Sequence, residues 1–368
     1  MSKIVSIGKA VPQYKHDQKK IFDFMHTVYA VNDRDKRKLK FLYDRCGIDT
    51  RYSVVPDYSL PAQEWQFFPA SENLQPFPSM EKRMKVFHRE AAPLALNAIN
   101  DCLERYKEQT TTEFTTKDIT HLITVSCTGM SAPGLDLQIA EALELSPNVF
   151  RTSVNFMGCY AAIHALKLAK LICEAEPDAN VVIADTELCT LHFQQEYSAD
   201  NAASSLLFAD GSAAALVSNK HRSTTSITLD GFFSHVSYKG KKDMAWELSS
   251  KGFLMTLSGY VPQLIEEDID ELVVASLDHH NVDKSSITHW CIHPGGKKIL
   301  QAIENKLNLS KDDLCYSRSV LAKYGNMSSP TILFVLKEML NNIKHKAKIF
   351  GVAFGPGLTM ETFLASKK

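Results

Sequence analysis

From Ile119 onward the chain alternates between β-rich apolar runs and runs with helical spacing, and this alternation restricts the fold more than any other feature. The first series comprises Ile119 to Ser126, a Gly/Pro turn, Leu135 to Leu145, a run ending at Asn155, and a helix-like stretch from Gly158 to Ala175. The buried strand Val181 to Asp185 and the small-residue run 209–217 complete it. A second series follows the polar segment 218–226 and predicts strands over 227–237, 287–292 and 349–354. Helices are predicted over 257–278, 297–307 and 330–343. Strands interleaved with helices imply α/β layering. At 368 residues the chain exceeds what one core usually serves. The expected organisation is therefore two α/β halves, 1–220 and 221–368.

A formal net charge of −1 supplies no global field for nucleic acid or a membrane surface, so any anion site must be local. No stretch approaches the roughly 18 uninterrupted apolar residues of a spanning helix, and the first ten residues lack the apolar core of a secretion signal. Eight cysteines without a CxxC pair suit reduced thiols. The expectation is a cytoplasmic protein that binds neither nucleic acid nor membrane. His279, His280 and His289 lie close in sequence, but no cysteine or carboxylate at ligand spacing joins them, so no metal is expected. No glycine run matches a dinucleotide or phosphate loop. The stretch from Trp65 to Met80, with its prolines and aromatics, reads as an irregular surface segment.

Three residues stand where chemistry is easily placed. Cys159 follows Met157-Gly158 and starts a helical run, so its sulfur sits near a helix N-terminus, where the dipole favours a thiolate. His293 ends an apolar strand and precedes Pro294-Gly295-Gly296, in the crevice at strand C-termini where α/β proteins bind ligands. Asn326 lies in another glycine turn, Tyr324-Gly325-Asn326-Met327-Ser328-Ser329, before a helix. Alone, each has a plain structural reading: a core cysteine, a structural histidine, a helix cap. Together, at three strand-to-helix turns, they form a thioester-handling set. The cysteine attacks a thioester carbonyl, the imidazolium holds the thiolate, and imidazole and carboxamide donate to a thioester oxygen. A neutral carboxamide stabilises an enolate without protonating it, which suits decarboxylation better than hydrolysis.

Four motifs carry a resemblance over nearly the whole chain. They are Gly158-Cys159-Tyr160-Ala161, His293-Pro294-Gly295-Gly296, Tyr324-Gly325-Asn326-Met327-Ser328-Ser329, and Phe354-Gly355-Pro356-Gly357-Leu358-Thr359. In order and spacing the sequence resembles type III polyketide synthases, the chalcone and stilbene synthase family. The resemblance implies a thiolase-like fold, a five-layered αβαβα arrangement of two related halves. It also implies a homodimer acting on an acyl-CoA starter and malonyl-CoA without a cofactor. Cys159 is then expected to carry the growing chain, with His293 and Asn326 promoting decarboxylation. Phe208 and Met255 stand at the two gatekeeper positions, the second usually a phenylalanine. His192, Cys127 and Trp246 replace cavity threonines and a glycine, Ser328 lies by the cavity wall, and Glu187 matches a supporting buried carboxylate. Lys38 and Arg45 match the family's CoA-binding basic residues, whereas Phe41 stands where an arginine is usual and Lys40 is placed to compensate.

Ala132 stands where plant enzymes place a methionine that reaches the partner subunit. With Met255 it loosens the cavity and favours a fatty acyl starter giving an alkylpyrone or alkylresorcinol, whereas Trp246 favours a small starter or a short chain. Two rivals keep the fold: an acyl-ACP-using ketoacyl synthase III-like enzyme, which differs in the motifs around histidine and asparagine, and a non-catalytic partner subunit, which would usually lack the nucleophile. A cysteine hydrolase is a third, but the papain-type signature is missing.

Overall fold

The computed structural model describes residues 1–29 and 32–367; Lys368, the last residue of the expected second half, lies outside them. In chain order the elements begin with β1 (Lys3–Ala10), β2 (Tyr14–Asp17), α1 (Gln18–Tyr29), α2 (Asp33–Arg45) and β3 (Thr50–Ser53). They continue with α3 (Met80–Glu108), β4 (His121–Ser126), α4 (Leu135–Ala142), β5 (Phe150–Asn155), α5 (Ala161–Ala175), β6 (Asn180–Leu188), α6 (Ala199–Leu207) and β7 (Asp210–Ser218). Then come β8 (Ile227–Val236), β9 (Met244–Ser249), β10 (Gly252–Leu257), α7 (Val261–His279), β11 (His289–Ile292) and α8 (Lys297–Leu307). The last are α9 (Cys315–Tyr324), α10 (Pro330–Asn342), β12 (Ala347–Gly355) and β13 (Thr359–Lys367).

The main sheet has the order β11-β12-β13-β8-β1-β7-β6-β4-β5. It is two half-sheets meeting at β1 and β8, which share only the pairs Lys3↔Thr228 and Ile4↔Ile227. Both halves follow one plan. In the first, β5 and β6 run parallel to β4, while β7 is antiparallel to both β6 and β1. In the second, β11 and β12 are parallel and β13 is antiparallel to β12 and β8. The second half lacks a counterpart of β5. Each half carries a small antiparallel pair outside the main sheet, β2–β3 and β9–β10.

Helix α3 covers the outer face of the first half-sheet through β1, β6 and β7, and α7 with α8 covers the second through β8. Between the half-sheets lie α5 and α10, which touch each other; α5 reaches β13 and α10 reaches β1, β6 and β7. These are the five layers. The sequence explains the central position of α10: every residue from Pro330 to Lys337 is buried, and a helix apolar on all sides belongs inside. Lys337, the one cation in that run, is neutralised by an ion pair with Asp101 of α3. Among the described residues no helix is long and apolar enough to cross a membrane.

The predicted strands and helices of the two series are found within a few residues of their expected ends. One boundary moves for a physical reason: residues 257–260 finish β10 and a turn, and α7 starts at Val261 with Pro262 in its first turn, where a missing N–H costs nothing. The sequence did not signal the hairpin β9–β10, whose strands are half exposed, nor α3, α9 and β13. Residues 65–79 are irregular apart from one 3-10 turn, as expected, but they are not a surface segment throughout: Phe67, Phe68 and Leu74 are buried in the core because their apolar side chains fold back onto it. Because Leu333 of α10 is 1 % exposed in the middle layer, Leu333→Ala should lower unfolding free energy by about 2–5 kcal/mol. Chemical denaturation followed by circular dichroism reads this directly.

Candidate active site

The chain leaves β5 through Phe156 (φ 59°) and Gly158 (φ +77°), and Cys159 lies in the single 3-10 turn Gly158–Tyr160 that runs into α5. Position 158 accepts only glycine, since a Cβ there would lie 2.1 Å from Pro356 Cδ. The Gly158 N–H donates to Cys127 Sγ at 3.0 Å. His293 follows β11, with its backbone N–H bonded to Val352 O at 2.9 Å, so the edge pairing of β11 and β12 aims its ring. The ring is buried, and neither nitrogen has a protein partner.

Asn326 corrects the expectation of three strand-to-helix turns. It sits between two helices, α9 and α10, and pairs as an isolated bridge with Phe208 at the end of α6. Its Oδ1 accepts the Ser328 N–H at 2.8 Å and its Nδ2 donates to Gly295 O at 3.3 Å. The carboxamide is thus fixed in orientation, and it also faces Cys159, whose anion it favours by a hydrogen bond. A helix cap accounts for none of this, since α10 has no side-chain cap bond.

One cavity of about 1200 Å³, mouth included, gathers Cys159, His293 and Asn326 with Cys127, His192, Phe208, Trp246, Met255 and Ser328. Cys189, Tyr58, Phe253 and Arg51 line it too, as do Ile21 and Met25 of α1. Sequence reasoning missed these. Cys189 could have been found from its position just beyond Glu187 at the end of β6, whereas no local signal brings α1 to the cavity. The structure does not bring Ala132, Lys38 or Arg45 into this lining. Ala132 is exposed on the loop after β4, so its methyl group opens nothing in the cavity of its own chain. Lys38 and Arg45 are exposed on α2; the Arg45 guanidinium lies 4.4 Å from the Phe41 ring, and Lys40 pairs with Asp44 at 2.6 Å. The end of α2 adjoins the start of α8: the Lys297 stem packs on Gly47, two residues beyond Gly295 of the cavity wall.

Burial reverses the expected thiolate. Desolvation pushes the Cys159 thiol up to about 12; hydrogen bonds from Ser328 and Asn326 favour the anion, while Glu187 and Asp185 oppose it. Desolvation alone holds His293 down to about 3. Burial thus acts against the charged form of both groups, since taking them out of water penalises the ions most. Beside Cys159, Glu187 accepts the Cys127 N–H at 2.9 Å and the Thr128 hydroxyl at 2.6 Å, and burial raises it to about 7. Ser329 donates to the neighbouring Asp185 at 2.6 Å, a carboxyl that burial and Glu187 push well up.

Trp246 and Met255 are cross-strand partners in the β9–β10 hairpin, so together they form one wall of the cavity. Trp246 Nε1–H donates to Cys127 O at 2.7 Å, which fixes the indole. His192 stacks on Phe253 with ring centroids 4.3 Å apart and meets Trp246 edge-on at 5.6 Å. Its Nε2–H donates to Thr128 O (2.7 Å) and its Nδ1 accepts the Phe253 N–H (3.2 Å), an arrangement only the neutral ring satisfies. Burial lowers His192 to about 3.

The chain is matched by the models for chalcone and stilbene synthases, the N-terminal domain over residues 1–220 and the C-terminal domain over residues 235–367. A putative chalcone synthase of Bacillus subtilis (strain 168) is 30% identical, covering 100% of this chain and 99% of the relative. Type III polyketide synthase A of Arabidopsis thaliana is 28% identical over 98% of this chain and 91% of its own. Among solved structures, PKS-I from the brown alga Ectocarpus siliculosus superposes with a TM-score of 0.90 at 26% identity, covering 100% of this chain and 98% of that one. The chain belongs to the chalcone and stilbene synthase family. It is a type III polyketide synthase, a condensing enzyme of the acyltransferase class with the thiolase fold, working on CoA thioesters without a further cofactor.

His192 makes a pH prediction. Its folded pKa lies below the unfolded value, so between about pH 6.5 and 3 the unfolded state binds more protons and stability falls as pH falls. Protonation breaks the Nδ1 contact, at up to about 1.4 kcal/mol per pH unit. Denaturation midpoints from pH 7 to 4 should show a shallower acid slope for His192→Gln than for the parent.

Proposed function

We propose that Cys159 takes an acyl group from a CoA thioester, that malonyl-CoA is decarboxylated beside His293 and Asn326, and that the resulting enolate condenses with the Cys159 thioester. One observation carries this reading: a thiol, an imidazole whose nitrogens have no partner among the described residues and an oriented carboxamide converge in a single cavity. Because Cys159 and His293 start neutral, the Sγ proton passes to the imidazole as sulfur attacks the starter carbonyl, and the departing CoA thiolate takes it back. The bond from carbonyl carbon to CoA sulfur breaks as the bond to Sγ forms. Malonyl-CoA then loses CO2, a step that a desolvating cavity favours because it disperses carboxylate charge. The enolate oxygen accepts hydrogen bonds from the ring N–H and the carboxamide. Attack of the enolate carbon on the thioester releases Sγ and lengthens the chain by two carbons on CoA.

Phe208 and Met255 act at the gate, and His192, Cys127, Trp246 and Ser328 shape the chamber in which the chain cyclises. A pinned Trp246 supports a short chain, whereas Ala132, exposed on the loop after β4, would bear on the partner's cavity and with Met255 supports the alkylpyrone or alkylresorcinol reading. Lys38 and Arg45 take the CoA phosphates outside the mouth, a role favoured by the contact between α2 and the start of α8. The same proposal divides the chain into a nucleophile-bearing half, 1–220, and a half bearing His293 and Asn326, 221–368; the repeated strand plan supports it. A reducing cytoplasm accords with eight unpaired cysteines.

Labelled malonyl-CoA with a panel of acyl-CoA starters tests the chemistry. Cys159→Ala should abolish polyketide while CO2 release persists, and Asn326→Ala should depress CO2 release by roughly 100-fold; polyketide from Cys159→Ala would sink the mechanism. Trp246→Gly should shift products to longer chains.

We also propose a homodimer through the β5 edge. Five of the six residues of β5 are exposed, Phe150 by 64%, and Met130 on the loop after β4 is exposed by 52%. An unpaired edge beside apolar side chains is otherwise an aggregation site. Sedimentation should show a dimer, and Thr152→Pro should yield monomer.

A further inference from the structure

Helix α6 ends at Leu207 with Phe208 as its C-cap, and the last carbonyls of any helix need donors from elsewhere. Here three donors converge on three successive carbonyls. Gln18 Nε2–H donates to Leu206 O at 3.0 Å, the Asn326 backbone N–H to Leu207 O at 2.9 Å, and Arg51 Nη1–H to Phe208 O at 2.5 Å. Arg51 Nε–H also donates to Gln18 Oε1 at 2.9 Å, so the two side chains are one unit. The Asn326 carbonyl closes the circuit by accepting the Ala209 N–H at 2.9 Å.

Arg51 and Gln18 are 4% and 6% exposed, and no carboxylate pairs with Arg51 among the described residues. Its charge is set instead against the negative end of α6. Its stem also defines the turn before Asn326: a Cβ on Gly325 (φ +70°) would lie 2.8 Å from Arg51 Cγ and 3.1 Å from Leu207 O. Arg51 therefore touches both sides of the Phe208–Asn326 bridge.

We infer that Arg51, with Gln18, is a positioning residue for condensation: the pair ties the end of α6 to the turn bearing Asn326, and so sets the gate Phe208 and the carboxamide together. This rests on the role given to Asn326 above. A misplacement of about 1 Å at a reacting group costs on the order of 100-fold, so losing the fork should act most on the step that uses Asn326 and much less on the step that uses Cys159, where Asn326 is one of two hydrogen-bond partners. Lysine keeps the charge but cannot donate from Nε and Nη1 at once.

The experiment follows two rates in the full-length enzyme: CO2 release from labelled malonyl-CoA, and formation of the acyl adduct on Cys159 by intact-protein mass spectrometry. Arg51→Lys should lower CO2 release by roughly tenfold or more and change adduct formation by less than about threefold. In an Asn326→Ala background the same change should add less than about twofold, because both act through one carboxamide. Gln18→Leu, milder for folding, should give the same split at severalfold size.

Equal losses in both rates, multiplying losses in the Asn326→Ala background, or unaltered CO2 release in Arg51→Lys and Gln18→Leu would each overturn the inference. Should Asn326→Ala itself leave CO2 release unchanged, the proposed mechanism falls and the inference with it. A loss in Asn326→Ala without one in Arg51→Lys or Gln18→Leu removes the inference alone.

Discussion

The packing of α5 and α10 between two half-sheets is the constraint on which the rest of this molecule depends. Both central helices start from turns that face the same cavity, with their first turns buried against the half-sheets. Cys159 precedes α5 and Asn326 precedes α10, so the contact between these helices brings together residues 167 positions apart. Burying such a layer contributes about 25 cal/mol per Å² of apolar surface, which offsets the strain of Phe156 and Ser328 at positive φ. His293 arrives from the partner half-sheet through β11. The site is therefore a property of how the halves face each other, and neither half contains it alone.

The same burial governs the chemistry. Desolvation makes thiolate and imidazolium costly, and low local polarity also strengthens hydrogen bonds to charge in the cavity. Neutral reactants with fixed donors are a sensible resting state for an enzyme whose substrates bring their own charge. The carboxyls of Asp185 and Glu187 sit beside Cys159, and burial raises both, which keeps their charge from bearing fully on the sulfur. The aromatic wall of His192, Phe253 and Trp246 spends its polar atoms on the backbone, leaving rings rather than donors for the growing chain.

Much of this was legible in the residues. Strand and helix periodicity located the two series because each element buries a regular stripe, and three glycine turns marked the places where side chains meet a crevice. What escaped did so for identifiable reasons. The β9–β10 hairpin is half exposed, so its alternation is diluted, yet it delivers Trp246 and Met255 together. Asn326 looked like the end of a strand and proved to link two helices, because a short β-bridge to Phe208 substitutes for a strand there. The thiolate expected at a helix N-terminus was undone by desolvation, a quantity that depends on everything packed around the sulfur.

The sequence by itself determined the α/β class, the family and the identities of the thiol, imidazole and carboxamide, since periodicity and glycine turns are local and survive in one dimension. Only the tertiary structure decided that these groups share one cavity in which burial opposes their charged forms, that Trp246 is pinned to Cys127, and that Arg51 and Gln18 cap α6 beside Asn326. Each of those depends on distances between residues far apart in the chain, and on the water that their packing excludes.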